Sequence, residues 1–189
     1  MRKIVLNLAV TLDGFIEGPN GEIDWCSMDI DPADSSVRES FFDQFLESID
    51  TIFYGRISYD NWGQFQPAQQ DSEEVKKLWR GVHSKKKFVF STTASLSEDS
   101  VTLIRDSVPQ RVAEIKAQPG KDIWLYGGSS LIATFMQHDL IDRYLLAVHP
   151  VVLGSGKPLF SESDKRVSLR LKSAKPSRSG VVLLDYEKG

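Results

Sequence analysis

Three short segments of glycine, hydroxyl and cation are the first sign of chemistry in this chain. Tyr126-Gly127-Gly128-Ser129-Ser130-Leu131 joins the apolar run Ile123-Trp124-Leu125-Tyr126 to a stretch with helical spacing. Glycines let a backbone approach a diphosphate, the free amides at a helix start donate to it, and the helix dipole favours its charge. Ser129 or Ser130 adds a hydroxyl or caps the helix. Taken alone, Gly127 and Gly128 read equally well as a tight strand-to-helix turn. Gly55-Arg56-Ile57-Ser58-Tyr59 and Ser91-Thr92-Thr93 each follow another apolar run. They set a cation or hydroxyls where further phosphate or ribose oxygens would be held, although Arg56 by itself reads as a solvated cation.

Acids gather near the N-terminus. Asp13, Asp29 and Asp31 lie in one long loop and Asp34 just beyond it. All are candidate proton donors, with plain alternatives: Asp34 as a helix cap, Asp13 as a turn former before Gly14, Asp29 and Asp31 as solvated loop charges. Trp25 in the same loop either stacks on a flat substrate or closes the core. His149, before Pro150, either donates a proton or plays a structural part.

The elements that must position these groups follow from periodicity. Residues 4–10 are apolar on both parities, the pattern of a central strand covered on both faces. Residues 11–33 form a long loop with Gly14, Gly18, Gly21 and two prolines, a kind usually functional in a compact domain. Asp34 caps a helix carrying Val37, Phe41, Phe45 and Ile49 at helical spacing. Strands are predicted at 51–54, 88–90, 101–104 and 123–126, alternating with helices at 74–82, around Val112 and Ile115, and at 131–138, the last with Leu131, Phe135 and Met136 inward. Strand-like runs at 144–152, 167–171 and 181–186 follow with no helix between them, and residues 172–180 read as a polar hairpin connection. The chain is therefore expected to begin as a mainly parallel α/β sheet and to finish as antiparallel sheet. Such sheets bind ligands at the carboxyl ends of their strands, where all three segments lie.

Composition bounds the rest. The 189 residues suit one domain, with 41% hydrophobic and 26% charged residues and a net charge of -3. That charge argues against a surface built to neutralise nucleic acid or anionic lipid, so a bound anion must be held locally. Cys26 is the only cysteine, which excludes an intrachain disulfide and multi-cysteine zinc sites. No stretch approaches the roughly 18 apolar residues of a membrane span, and a cytoplasmic protein without a metal is expected.

Taken in order, these segments resemble a family. Asn7-Leu8-Ala9-Val10-Thr11-Leu12-Asp13-Gly14-Phe15-Ile16, Gly55-Arg56-Ile57-Ser58-Tyr59, Ser91-Thr92-Thr93, Tyr126-Gly127-Gly128-Ser129-Ser130-Leu131 and His149-Pro150-Val151-Val152-Leu153-Gly154-Ser155-Gly156 are similar to the dihydrofolate-reductase-like fold. They are closest in kind to small bacterial proteins similar to the reductase domain of the riboflavin-pathway deaminase-reductase. The resemblance implies a three-layer α/β fold, with helices on both faces of a mixed, mostly parallel sheet, over residues 1–189. It also implies NADPH as cofactor and a homodimer. Gly127, Gly128, Ser129, Ser130 and Leu131 would meet the diphosphate, and Gly55, Arg56 and Ser58 phosphate oxygens. Ser91 and Thr92 would lie near the adenosine 2′-phosphate, and Ala9 and Ile16 would hold the nicotinamide carboxamide through their backbones. A cis peptide between Gly127 and Gly128 is implied as well. Asn7 and Trp25 are expected on the substrate side. The expected activity is hydride transfer to a small heteroaromatic, pterin- or pyrimidine-like compound. Two other functions compatible with the sequence are an NADPH-binding sensor or partner protein without turnover and, less favoured, a nucleoside or phosphate-ester enzyme.

Overall fold

The computed structural model describes residues 1–26, 35–96, 101–161 and 165–189, with residues 35–40 described as backbone. Its eight-stranded sheet runs β5-β4-β3-β6-β1-β7-β10-β9. The strands are β1 Ile4–Thr11, β3 Ile49–Gly55, β4 Lys86–Phe90, β5 Val101–Ile104, β6 Asp122–Gly127, β7 Arg143–His149, β9 Leu169–Pro176 and β10 Val182–Lys188. A second, two-stranded sheet pairs β2 Phe15–Glu17 with β8 Lys157–Pro158. The fold is α/β and mostly parallel, as expected.

β1 is central, parallel to β6 on one side and to β7 on the other. Its alternate residues feed two cores. Ile4, Leu6 and Val10 pack with Leu131, Ile132 and Phe135 of α5 Ser129–Gln137, and with Val112 and Ile115 of α4 Val108–Ala117. Val5 lies on the opposite face with Phe45 and Leu46 of α1 Ser35–Ser48 and with Trp79 and Val82 of α3 Glu73–His83. Two apolar faces need two covering layers, and the helices supply them. At the strands' amino ends the buried Arg2 donates to Thr51 Oγ1 (2.6 Å) and pairs with Asp50, tying the first residues to β3.

Four sequence expectations are corrected. Ile49 opens β3 instead of closing α1, because the Ser48 hydroxyl donates to Phe45 O (2.7 Å) and ends the helix. The long first loop contains β2. The run at 144–152 stops as a strand at His149, before Pro150, and is parallel to β1; the antiparallel part begins only where β10 pairs with β7. Residues 172–176, read as a hairpin connection, continue β9 as an edge strand. β9 is exposed at every position but Ser173, so no buried face imposes a period-2 apolar signal on it. Asp29, Asp31 and Asp34 lie outside the described residues.

Candidate functional site

The site grows from the carboxyl ends of β3, β6, β1 and β4. Tyr54 stands opposite Gly127 in the β3–β6 register, so the two strand ends lie side by side. A side-chain carbon on Gly55 would sit 3.4 Å from both Gly127 O and Gly128 N. Glycine is what lets the two backbones close to this distance. One on Gly128 would sit 3.0 Å from the Ser58 hydroxyl, in the short helix α2 Arg56–Ser58 that continues β3. Gly127 has φ +112 and Gly128 is joined to it by a cis peptide. Gly55, Ser58, Gly127, Gly128 and Leu131 thus line one narrow cleft, its glycine backbone facing the Ser58 hydroxyl and the Leu131 side chain.

α5 opens on that cleft. Gly128 is its N-cap and makes no side-chain cap; Gly128 O accepts from the Ile132 amide (3.0 Å). The amides of Ser129, Ser130 and Leu131 belong to the first turn, whose donors have no intrahelical acceptor, and no acidic residue occupies that turn. A phosphate there meets amides and the positive end of the helix dipole. Arg56 is exposed and donates to Asp60 Oδ2 (2.6 Å), one turn on.

The end of β4 forms a second, smaller station. The Ser91 hydroxyl accepts from the Thr93 (3.3 Å) and Ala94 (3.0 Å) amides, and the Ser91 amide donates to Ile104 O (2.9 Å), binding the turn to the end of β5. Arg105 follows β5 directly, and its Nη1 donates to Thr92 O (3.3 Å). Sequence reasoning missed this cation. The strand-end rule applied to β5 would have found it, since Phe90 and Ile104 are in register.

Asp13 ties the first loop to the segment after β7. Its carboxylate accepts from Thr11 Oγ1 (2.6 Å), from the Gly154 amide (2.7 Å) and from the Leu153 amide (3.3 Å). The Thr11 hydroxyl, with help from the two amides, outweighs partial desolvation and holds the carboxyl below its ordinary value of 3.8. Leu12 N donates to Val151 O (2.9 Å) and Leu159 N to Gly14 O (2.9 Å), so the first loop and residues 149–159 are sewn together. Ile16 stands at the irregularity between the two registered pairs of β2 and β8.

Ala9 and Asn7 face the α1 side of the sheet, where Ala9 lies beside Ala147 and Thr11 beside His149. Cys26 Sγ is 3.9 Å from His149 Nε2, and Trp25 meets the His149 ring edge-on at 5.4 Å, so Trp25 packs on a side chain of β7. Tyr54 stacks 4.9 Å from Tyr126. Burial pushes the Tyr54 phenol far up, reinforced by Tyr126 and Tyr59, and keeps it a neutral donor. Among the described residues, three buried side-chain polar atoms have no hydrogen-bond partner: Asn7 Nδ2, Trp25 Nε1 and Tyr54 Oη.

The family model described as the RibD C-terminal domain matches residues 2–183. The chain belongs to the RibD C-terminal domain family. Two relatives come from Bacillus subtilis (strain 168). Uncharacterized protein YyaP is 50% identical over 185 residues, covering 98% of this chain and 94% of that protein. Uncharacterized protein YwjB is 33% identical over 182 residues, covering 96% of each. Among solved structures, a putative riboflavin biosynthesis protein from Shewanella sp. PV-4 is 24% identical with a TM-score of 0.75, covering 100% of this chain and 99% of that one. The diaminohydroxyphosphoribosylaminopyrimidine deaminase/5-amino-6-(5-phosphoribosylamino)uracil reductase from Thermotoga maritima is 14% identical (TM-score 0.69), and this chain, covered in full, spans 57% of its length. Dihydrofolate reductase from Enterococcus faecalis, complexed with NADP(H), is 15% identical (TM-score 0.66), covering 99% of this chain and 96% of that one. These likenesses show the dihydrofolate-reductase-like fold expected from the sequence. Among the described residues no helix is long and apolar enough to cross a membrane, and no His, Cys, Asp and Glu group could hold a metal ion.

Proposed function

We propose that this RibD C-terminal-domain protein is an NADPH-dependent reductase of a small planar substrate. The observation that carries the reading is the cleft between the ends of β3 and β6, which side chains would fill at Gly55 and Gly128 and which opens on the first turn of α5. It suits a diphosphate, with the Ser129, Ser130 and Leu131 amides donating and Ser58 and Arg56 beside them. Arg105, Ser91 and Thr92 suit the phosphate that distinguishes NADPH from NADH. When bound, the cofactor supplies the hydride that reduces the substrate. The chain's own part is to hold the two reactants together, exclude water and let one proton reach the reduced heteroatom. Small Ala9, on the central strand, leaves room for a flat ring against the sheet, and the sewn loops close the edge of that space. Family membership and the NADP(H) complex of a fold neighbour support the same cofactor. A homodimer in the cytoplasm completes the proposal.

The test is quenching of tryptophan fluorescence on titration with NADPH. Saturable quenching, much weaker with NADH, is expected; binding of neither overturns the reading. A second reading, a nucleotide-binding protein without turnover, is favoured by one observation: Asp13, a candidate proton donor of the first loop, has its carboxyl held low by three donors. It predicts NADPH binding with no loss of absorbance at 340 nm across pterins, pyrimidines, flavins and quinones.

A further inference from the structure

We propose that Asp60 is a positioning residue that sets cofactor affinity through Arg56: it holds the Arg56 guanidinium at the rim of the glycine cleft as an internal counter-ion and yields it to the diphosphate when a dinucleotide binds. The inference rests on the NADPH reading and deepens it. Its ground is an exclusive couple. Arg56 Nη1 donates to Asp60 Oδ2 (2.6 Å), and among the described residues neither side chain has another hydrogen-bond or ion-pair partner. A guanidinium carries five N–H donors, so this one keeps most of its capacity unspent.

The couple stands where an entering phosphate would meet it. Arg56 is the first residue of α2, directly after Gly55, and Ser58, two residues on, sets its hydroxyl opposite Gly128. Tyr59–Gly63 prolongs α2 as a π-helical turn. Tyr59 is buried and packs on Tyr54 of β3 (5.8 Å), and a side chain at Gly63 would collide with the Tyr59 ring, so glycine there lets the turn close on it. The backbone that carries Arg56 and Asp60 is thus anchored from within, while both charged side chains are exposed. A change of partner needs only side-chain rotation.

The energetics favour exchange. Exposed ion pairs contribute little, because water screens both charges and two long side chains must be held still. This pair also runs in the less favourable order, cation before anion along the helix, so each charge opposes the helix dipole. A phosphate in the cleft offers the guanidinium two parallel bonds where Asp60 takes one. Before binding, the carboxylate cancels much of the attraction that Arg56 exerts on an incoming anion. The cofactor is therefore held less tightly, and released faster, than the cleft alone would allow.

The test is tryptophan-fluorescence titration with NADPH and NADH of the full chain, Asp60→Asn, Arg56→Ala and the double variant. Asp60→Asn keeps the shape of the side chain and removes its charge. It is expected to bind both dinucleotides ~3- to 5-fold tighter than the parent at about 20 mM salt, the worth of an exposed ion pair, and to lose that gain at about 0.5 M salt, where charges are screened. In the Arg56→Ala background the same substitution is expected to leave affinity unchanged, since the carboxylate acts through the guanidinium. Unchanged or weaker binding by Asp60→Asn overturns the inference. So does an equal gain with and without Arg56, which would make the carboxylate a direct repellent of the phosphates, and so does a lower Tm with a salt-independent change in affinity, the mark of a structural role. The parent chain separates the two claims. NADPH quenching in the parent without a gain in Asp60→Asn overturns this inference alone, whereas no quenching in the parent overturns the cofactor reading and this inference with it.

Discussion

The Ser58 hydroxyl stands 3.0 Å from the point where a side chain on Gly128 would begin. Two segments 70 positions apart in the chain thereby form the two walls of one cleft, and the glycine is what keeps it open.

Neighbouring glycines are therefore expected to fail differently. Gly128 has φ -79, which any residue adopts, so Gly128→Ala should fold with nearly the parental Tm and lose ~10-fold or more in NADPH affinity. Gly127, at φ +112 and 3.2 Å from Ile132 Cδ1, gives no such freedom. Gly127→Ala should cost about 1–2 kcal/mol of stability in urea denaturation as well as cofactor binding. Equal losses of stability in the two variants would mean that the Gly128 position is structural.

The two arginines are expected to separate by cofactor. Arg105→Ala should weaken NADPH by about 10- to 100-fold, the worth of a charge-assisted hydrogen bond, and leave NADH nearly unchanged. Arg56 adjoins Gly55 and the glycine cleft, so Arg56→Ala should weaken both dinucleotides alike. Parallel fluorescence titrations check this, and an NADPH-selective loss in Arg56→Ala would exchange the roles.

Asp13 gives a pH prediction. A carboxyl held low in the folded state stabilises that state above its unfolded value and loses the contribution as pH falls through the folded value. Since Asp13 is held below 3.8, the Tm difference between the parent and Asp13→Asn should be constant from about pH 8 to about pH 5 and shrink only below 3.8. Calorimetry across that range checks it; a difference that vanishes near neutrality would be inconsistent with the Thr11, Leu153 and Gly154 bonds.

Arg2 tests stability alone. It is 7% exposed and serves Asp50 and Thr51 at the end of the sheet remote from the cleft. Arg2→Met should lower unfolding free energy by about 2–4 kcal/mol, because Asp50 loses its partner, and leave NADPH affinity unchanged.

The parallel strands and the glycine turn were legible because their signals are local: doubly apolar runs at Ile4-Val5-Leu6 and Ile123-Trp124-Leu125, and a Gly-Gly pair between strand and helix. Less legible were features set by distant partners. Nothing local to Phe15 announces a strand, since β2 exists only through Lys157 and Pro158. Asp13 reads as a turn former or acid until Leu153 and Gly154 arrive to bind it. Arg105 carries no motif at all, and its place is given by β5 lying beside β4. The polar stretch from Lys172 to Pro176 reads as a loop because its side chains are largely exposed and only pairing with β10 makes it a strand.

The central place of β1 also bears on how the molecule comes to be. Ile4, Val5 and Leu6 find their sheet neighbours at Ile123, Trp124 and Leu125, and at Arg143 and Tyr144 beyond. During synthesis the first strand leaves the ribosome long before either neighbour exists, with both edges unpaired and both faces apolar. Contacts so distant in sequence slow folding and lengthen exposure of a sticky segment. The strand at the centre of the sheet is thus made before both of its neighbours and stays open until they arrive, more than a hundred residues later.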